Sequence, residues 1–401
     1  MSTNTTTNLS NSVRTQYLES YIRGAMQRRV YDQFATPIGK NLEDLQKGSS
    51  VQQNYLNNLD PATTAINEIT DVTPQSVTDA TASLTPTSRG AALRFSELLS
   101  IQAFTDYEKR AMEKVGDNAM ESIELLASAA GLQAGIVSRY AARASLDAGT
   151  AAHTCTEAAF SKAQVLLESL KCPQMKNVDD TEAGWAAAMH PFAFYDLRAG
   201  GNILNVAAYQ DKSILLAHEL GRVGAFRVVV SAWCKVLGAA GIDNGTIVAT
   251  TLNGAVLKGA KTIVTADDVS ANIAVGQLWT IGTEETANTH YPDNEQVRIT
   301  AASTTTLTLV GSGDNGGLRY NHNTGVAVRN ADSVYPVLFG SPRSMAKVYA
   351  TSVGEFGQVS NIEKDGELDQ FRKIWWKFYG NYGVLNQNWL VRGEYASSLD
   401  A

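Results

Sequence analysis

The longest regular hydrophobic pattern in the chain lies between residues 104 and 130. Apolar residues recur there at spacings of three and four, the period of an amphipathic α-helix, and charged residues cover the other side. These apolar residues are Phe104, Tyr107, Ala111, Val115, Ala119, Ile123, Leu126 and Ala130. The pattern predicts a helix over residues 105–144, about 60 Å long at 1.5 Å per residue. Few domain cores need such a length, so we expect a spine helix.

A second helical pattern occurs near the N-terminus. Ser12 is a typical N-cap residue, and apolar residues follow it at intervals of four: Val13, Tyr17, Tyr21 and Ala25. Residues 1–40 contain five basic and two acidic residues, in a chain whose net charge is −7. The basic residues include Arg14, Arg23, Arg28 and Arg29. Two interpretations stay open: a solvated helix face, or an arm that lies near a polyanion or a partner.

Residues 41–100 contain few charges and many Thr, Ser, Asn and Gln residues. The stretch SVTDATASLTPTSRGAALRFSEL alternates loosely at period two, which is typical of extended strands. It predicts a long hairpin over residues 80–96 that turns at Ser88, Arg89 and Gly90. Because large apolar residues are scarce in it, we expect this hairpin to lie on a neighbouring subunit rather than on its own core.

The next two segments differ in pattern. Residues 150–240 predict an α/β region with helices at Glu157–Leu170, from Pro191 onward and at Asp211–Glu219, and with a buried strand in GAFRVVVSAW. Residues 240–336 contain short Thr/Val/Ile-rich runs separated by Gly, Asn and Asp: GTIVATT, KTIVTA, QLWTIGT, EQVRIT, TTLTLV and GVAVRN. These runs predict a small all-β domain, a sandwich or a barrel, set inside the α/β region.

Aromatic residues are concentrated near the C-terminus. Eight of them fall within Phe371–Tyr395, whereas the whole chain is 8% aromatic. Such density is typical of a core, a ligand site or a subunit interface. A platform for stacking nucleic-acid bases is the competing interpretation, but basic residues among the aromatics are sparse (Arg372, Lys373 and Lys377). We therefore expect a structural role for the aromatics.

Composition and charge narrow the class of protein. A pI near 5.4 argues against a protein that wraps nucleic acid electrostatically. Cys155, Cys172 and Cys234 show no CxxC spacing, which favours reduced thiols in a cytosolic setting. The stretch MSTNTTTNLSNS lacks the basic and apolar regions of a signal peptide, and no run approaches the ~18 apolar residues of a membrane span. We expect a soluble protein with no membrane partner. Its low charged fraction, 18%, suits a subunit packed against copies of itself.

Catalytic motifs are incomplete or missing in the sequence. His218 and Glu219 open an HExxH pattern, but Arg222 occupies the second histidine position. The sequence has no GxSxG, no GxxxxGK[ST] and no GxGxxG opening a helix. His153, His190 and the three cysteines match no zinc spacing. We therefore predict no catalytic residue, no metal site and no cofactor.

The ordered segments resemble the major capsid proteins of tailed bacteriophages, in the podophage-type subgroup. The resemblance covers residues 10–240 and 335–398, and it rests on MHPFAFYDLRAG, HELGRVGAFRVVVS and WWKFYGNYGVLNQNWLVRGEY in this order. It implies an α+β protein with the Hong Kong-type capsid fold: a P-domain built on a long spine helix, an A-domain, an extended E-loop and an N-terminal arm. Residues 241–335 depart from that pattern as an inserted β-domain.

The resemblance also implies a domain scheme and partners. The scheme is an N-terminal arm (1–44), an E-loop (45–100), the spine helix (101–150), the A-domain (151–240), the inserted β-domain (241–335), the A-domain return (336–365) and the C-terminal strands of the P-domain (366–401). The implied function is self-assembly as hexamers and pentamers into an icosahedral head shell around double-stranded DNA. The implied partners are further copies, scaffolding, portal and possible decoration proteins, and packaged DNA bound non-specifically. Assembly would occur in the bacterial cytoplasm, and the product would be the virion.

Specific residues follow from these implications. The interface hypothesis names Arg89, Gly90, Arg94, Trp375, Trp376, Tyr379 and Trp389. The arginines of the arm (Arg14, Arg23, Arg28 and Arg29) are predicted to line the lumen. One alternative is a decoration or host/carbohydrate-binding structural protein acting through the β insertion, where Trp279, Tyr291 and Tyr320 are the available aromatic residues. A carbohydrate-active enzyme is a third, and it would need paired carboxylates in the α/β part.

Overall fold

The structure is a computed structural model. It describes residues 30–38, 50–56, 74–102, 107–175, 184–201, 204–205, 219–238, 248–283, 293–341, 344–350, 357–360, 362–366 and 370–400, and the single positions 59, 61, 63 and 368. Residues 1–29 and 39–44 of the predicted arm, which include its four arginines, and residues 211–218 of a predicted helix lie outside the described residues.

Helices and strands alternate irregularly along the described chain. The helices are α1 (Glu97–Gln102), α2 (Tyr107–Gly131), α3 (Glu157–Ser169) and α4 (Pro191–Ala199). The strands are β1 (Ala35–Pro37), β2 (Val51–Leu56), β3 (Asp79–Leu84), β4 (Thr87–Ser96), β5 (Ile136–Ser138), β6 (Trp185–Met189), β7 (Leu204–Asn205), β8 (Glu219–Val223), β9 (Phe226–Val230), β10 (Ala249–Thr251), β11 (Thr262–Val264), β12 (Leu278–Ile281), β13 (Glu295–Ser303), β14 (Thr306–Val310), β15 (Ala327–Asn330), β16 (Tyr335–Gly340), β17 (Met345–Tyr349), β18 (Gln358–Val359), β19 (Glu363–Asp365), β20 (Phe371–Val384) and β21 (Leu390–Tyr395).

Two compact units contain these elements. Unit 1 includes Thr36–Met120 and Ala346–Leu385, and unit 2 includes Gln27–Ala35, Glu121–Met345 and Asn386–Ala401. The contacts thus place residues 386–401 in unit 2, whereas the predicted scheme begins the last P-domain segment at residue 366. The assignment of named domains stays a prediction.

Unit 1 is organised around the 14-residue strand β20. Its sheet has the order β1-β17-β20-β18, and β4 and β19 also pair with β20. Alternate residues of β20 are buried, including Ile374, Trp376 and Phe378, as the two-residue period of a strand requires. The indole N–H of Trp376 donates to Oδ1 of Asn118 in α2 at 2.8 Å. The predicted alternation of buried residues along this strand is confirmed, and Trp376 contacts the spine helix.

The predicted hairpin over residues 80–96 is wrong. Strand β3 pairs with β2, from Asp79 opposite Leu56 to Leu84 opposite Val51. Strand β4 instead pairs along ten residues with β20 of the same chain. The expected turn at Ser88–Gly90 lies inside β4. Gly90 is there because a Cβ atom would collide with the carbonyl oxygen of Trp376, so glycine marks a close backbone approach rather than a turn.

The spine helix is shorter than predicted. α2 has 25 residues and ends at Gly131, so the expectation of a helix to residue 144 is wrong. At 1.5 Å per residue its length is about 38 Å. The helix ends where a side chain at position 131 would collide with Leu338. The apolar pattern continues beyond this point because β5 follows and pairs in parallel with β21.

Unit 2 contains a mixed seven-stranded sheet of order β5-β21-β16-β6-β9-β8-β7. Helices α3 and α4 cover it, and their starts confirm the predictions at Glu157 and Pro191. In the core, the ring of Phe160 packs edge-on against Phe226 and Phe339, with centroids 5.6 and 5.0 Å away. The buried strand in GAFRVVVSAW is confirmed as β9. Glu219 of the incomplete HExxH pattern begins strand β8.

The second sheet of unit 2 consists of the six predicted short strands. Its order is β10-β15-β12-β13-β14-β11, and all its pairs are antiparallel. It has its own core, which includes Trp279, Ile299, Leu307 and Val328. Each of the six Thr/Val/Ile-rich runs forms a strand, which confirms the strand predictions.

Gly90→Ala is expected to destabilise unit 1. The new methyl group must displace the Trp376 carbonyl from its ladder position, at a cost of about 1–3 kcal/mol in the free energy of unfolding. Denaturant unfolding measures this loss. Gly200→Ala is the control, because its Cβ atom would meet a single neighbour, the Leu197 oxygen at 3.3 Å. An equal effect of the two substitutions would contradict the close approach.

Candidate assembly surfaces

One side of the β20 sheet presents aromatic rings and a lysine. Trp375, Lys377 and Tyr379 alternate with the buried residues and are only partly buried. The ammonium of Lys377 lies 5.0 Å from the ring centre of Trp375 and 5.6 Å from that of Tyr379, within the range of cation–π attraction. We call these three residues the aromatic face. Both rings stay partly accessible to solvent there.

Small residues border the aromatic face on β4. Ala92 lies opposite Trp375, Gly90 opposite Lys377 and Ser88 opposite Tyr379, and all three β4 residues are exposed. Directly opposite residues in an antiparallel pair share one side of the sheet. The rings therefore lie beside a row of small residues on β4, so another chain could approach the backbone of β4 closely.

Ion pairs surround this surface. Arg94 Nε lies 3.0 Å from Asp365 Oδ2, and its guanidinium lies 4.0 Å from the ring centre of Phe371. Arg372 lies 2.7 Å from Glu97. The indole N–H of Trp375 donates to Glu363 at 3.4 Å. Such exposed pairs each contribute little to stability, about 0–1 kcal/mol, so they shape the charge of the surface more than they hold the fold.

The structure brings together most residues of the interface hypothesis. Arg89, Gly90, Arg94, Trp375 and Tyr379 lie on the two paired strands β4 and β20. Trp376 lies on the same strands but is 4% exposed, so it belongs to the core of its own subunit.

Trp389, the last residue of the hypothesis, is in unit 2, where it packs against the core of the seven-stranded sheet. Lys377 was missed as a site residue. Its signal was the alternation Trp375, Lys377, Tyr379 at period two. The interface role itself stays a prediction.

A buried charge cluster stabilises unit 2. Glu394 and Arg392 have fully buried side chains, and Glu394 Oε1 lies 3.1 Å from Arg392 Nε. Arg143 donates to both carboxylate oxygens, at 3.1 and 2.6 Å, and Arg139 lies 3.4 Å away. Burial by itself would raise the pKa of the Glu394 carboxyl. The hydrogen bonds and charge of Arg143, with the other arginines, outweigh burial and lower that pKa below its ordinary value.

The three cysteines are buried free thiols. Burial raises the pKa of Cys172 to about 11 and that of Cys234 to about 12, and it raises the pKa of Cys155 further. Thiols with such pKa values are poor nucleophiles and poor metal ligands at neutral pH. In the described part of the chain, no three His, Cys, Asp or Glu side chains cluster as a metal site would require. No helix there is long and apolar enough to cross a membrane.

Comparison with known proteins finds similar structures but no similar sequences. No family model matches the chain, and no curated protein matches it in sequence. The structure titled capsid of Ralstonia phage GP4 is similar over 92% of both chains, with a TM-score of 0.55 and 10% identity.

Two further solved structures are similar with lower scores. The cyanophage Pam1 capsid matches over 93% of both chains (TM-score 0.47, 14% identity). The cyanophage P-SCSP1u capsid matches over 92% of this chain and 89% of its own (TM-score 0.47, 13% identity). The assignment of the fold therefore depends on the Ralstonia phage structure.

This chain has a phage-capsid fold. The mixed helix-and-sheet architecture expected from the sequence resemblance is confirmed at that level. The Hong Kong-type subdivision and the inserted domain stay predictions.

Glu394→Gln is expected to lower the free energy of unfolding at pH 7 by about 3–5 kcal/mol, because it leaves buried arginines without their carboxylate. Since the pKa of Glu394 is lower in the folded chain, its stabilisation is complete above the unfolded value of about 4.3 and is lost as the pH falls through the folded value. The difference in the free energy of unfolding between wild type and variant should therefore become smaller below pH ~4.

Denaturant unfolding at several pH values measures this gap. Glu363→Gln, at an exposed pair, should cost less than about 1 kcal/mol and serves as the control. A gap that stays constant down to pH 3 would show that the Glu394 charge is not the stabilising group.

Proposed function

We propose that this chain is the major capsid protein of a tailed bacteriophage. It would self-assemble as hexamers and pentamers into the icosahedral head shell that encloses double-stranded DNA. The main support is the structural similarity to the Ralstonia phage GP4 capsid over 92% of both chains. The sequence resemblance to podophage-type capsid proteins, which rests on the order of sequence segments and not on the structure, supports the same function. The role is structural, and the proposal includes no enzymatic step and no cofactor.

In this proposal, unit 1 corresponds to the P-domain of the Hong Kong-type fold and α2 is its spine helix. The mixed seven-stranded sheet of unit 2 corresponds to the A-domain. The β2–β3 ribbon corresponds to the E-loop. Its base packs on its own unit through Val51 and Leu84, and a two-stranded ribbon beyond such a base is only marginally stable without a surface to lie on. Scaffolding, portal and decoration proteins would be partners outside the shell lattice. The shell would be built in the bacterial cytoplasm and end in the virion.

Charge supports a contact between the E-loop of one copy and the aromatic face of the next. Residues 51–86 contain four acidic residues and no basic one. The aromatic face carries the basic residue Lys377 between its two rings. Opposite charges fix the register of such a contact, and partly exposed rings supply apolar area. Many modest contacts of this kind, repeated by symmetry, would build a closed shell.

The alternative of a decoration or host-binding protein loses its main support. It needs clustered exposed aromatic residues on the six-stranded sheet, and Trp279 is completely buried in that sheet's core. Tyr291 lies outside the described residues. Tyr320 is only partly exposed.

Electron microscopy of the purified, concentrated chain tests the function. We expect shells, tubes or sheets from the wild type. Lys377→Glu should reduce assembly at least tenfold while the circular dichroism spectrum stays unchanged, because the reversed charge repels the acidic E-loop. Lys261→Glu, at an exposed lysine of the six-stranded sheet, is the matched control and should assemble normally.

One outcome would contradict shell formation, and a different one would contradict the role of the aromatic face. Monodisperse wild-type monomers at every concentration would contradict shell formation. Normal assembly of Lys377→Glu would contradict the role of the aromatic face alone.

The inserted β-domain is a further part of the proposal. Just outside the six strands, Leu237 and Val334 exchange backbone hydrogen bonds of 2.9 and 2.7 Å, so the chain enters and leaves the region at adjacent points. Insertions are tolerated when their ends lie close together. Residues 240–335 expressed alone should give a β-type circular dichroism spectrum and cooperative thermal unfolding. A product without a cooperative transition would contradict an independent domain.

A further inference from the structure

A polar cavity of about 240 Å³ lies in unit 2, and the proposed function does not use it. Pockets for drug-sized ligands have volumes of about 300–1,000 Å³, so this cavity fits a smaller molecule. We call it the Lys258 cavity. Its lining comes from α2, from the segment after β9 and from two loops of the six-stranded sheet: Glu121, Trp233, Lys258, Ser312, Gly313 and Arg319.

The backbone that carries the two basic residues of the lining is held in place. The N–H of Arg319 donates to the carboxylate of Glu295 at 2.8 Å. His322 Nε2 lies 2.7 Å from the same carboxylate, and both Glu295 and His322 are buried. The N–H of Lys258 donates to Oδ1 of Asn321 at 2.7 Å. Arg319 and Lys258 therefore start from backbone positions that are set before a ligand arrives.

The wall that contains Trp233 is attached to α2. The N–H of Lys235, two residues after Trp233, donates to the hydroxyl of the buried Ser128 at 3.2 Å. The N–H of Trp233 donates to the Ser231 hydroxyl at 3.2 Å, and the residue is partly buried. Its indole ring gives an otherwise polar cavity one apolar side.

The charges of the lining favour an anion. Lys258 and Arg319 are basic and Glu121 is acidic, so these three residues sum to +1, in a chain whose net charge is −7. Arg319 forms an ion pair with Glu121, but a guanidinium has five N–H donors and a carboxylate accepts only some of them. A monoanion would bring the sum to zero, whereas a dianion would leave excess negative charge beside Glu121.

We propose that the Lys258 cavity binds a small organic carboxylate. The carboxylate oxygens would accept from the Lys258 ammonium, the Arg319 guanidinium and the Ser312 hydroxyl, and the apolar part of the ligand would lie against Trp233. Charge-assisted hydrogen bonds are about twice as strong as neutral ones, so the two basic residues supply most of the affinity. The site goes beyond the proposed function, since it takes a free small molecule whether or not the chain forms shells.

Fluorine NMR with trifluoroacetate as the probe tests the site on the full, unassembled chain. Broadening of the probe signal with increasing protein concentration gives the dissociation constant, and acetate should displace the probe more effectively than chloride at equal ionic strength. Lys258→Gln should weaken binding about fivefold or more, because a charge-assisted bond is lost. Lys261→Gln is the matched control and should bind as the wild type does. Lys261 is exposed on the same sheet, and its substitution changes the net charge by the same amount.

The acidic residue gives a prediction of opposite sign. Glu121→Gln should tighten binding about threefold or more, because it removes a negative charge beside the ligand and leaves more Arg319 donors for it. Glu113→Gln, at an exposed glutamate of the same helix, changes the net charge equally and should leave binding unchanged. If Glu121 only held the fold, its substitution would not tighten binding.

Absence of binding to the wild type would overturn the proposal. Equal effects of Lys258→Gln and Lys261→Gln would also overturn it, since they would indicate general attraction to positive charge. The same holds for unchanged or weaker binding by Glu121→Gln with a native circular dichroism spectrum. Because Lys258 is exposed, its substitution leaves the fold intact, so the lysine comparison decides even if Glu121→Gln does not fold. A failure to form shells would not alter any of these results.

Discussion

The ladder between β4 and β20 is the contact on which the rest of unit 1 depends. It joins segments almost 300 positions apart in the chain, as the bond from Thr87 to the Gly380 carbonyl shows. Its ten paired residues hold Trp376 in the position from which its indole reaches Asn118 of α2. The same ladder sets the aromatic face on the opposite side. Core and candidate contact surface are thus two sides of one strand.

A buried cluster of charged side chains stabilises unit 2. Three arginines converge on the single carboxylate of Glu394, and that carboxylate and Arg392 are fully buried. Removing one member of such a cluster leaves uncompensated charge in a low-dielectric interior. The cluster therefore fixes one arrangement of β21 and the segment after β5. Surface pairs such as Arg94 with Asp365 are too exposed to impose that kind of constraint.

Two surfaces of the chain expose aromatic or large apolar residues to solvent. The aromatic face keeps rings partly exposed beside the small residues Gly90 and Ala92. Helix α1 exposes three large apolar residues, Leu98, Leu99 and Ile101. Under the proposed function, contacts with further copies would bury these surfaces by symmetry. The low charged fraction of the chain, 18%, fits the same proposal.

The sequence by itself determined the local elements, because periodicity reports which side of an element is buried. Helix α3, helix α4, the six Thr/Val/Ile-rich strands and the alternation along β20 all follow from spacing. The phage-capsid fold followed from the order of these segments and a family resemblance. No local pattern shows which strand β4 joins: its partner is at the far end of the chain, and Gly90 reads equally as a turn or as a close approach.

Tertiary structure also decided where α2 stops. The apolar pattern continues past Gly131 because Leu132 and Ala134 are buried just beyond the helix and strand β5 follows. A spacing that reports burial therefore does not show where the helix ends. The charge cluster around Glu394 gives no sequence signal, since Arg139, Arg143 and Arg392 converge only when β5 and β21 pair. Local propensity does not decide the partner of β4 or the end of α2. Packing between segments that are far apart in the sequence decides both.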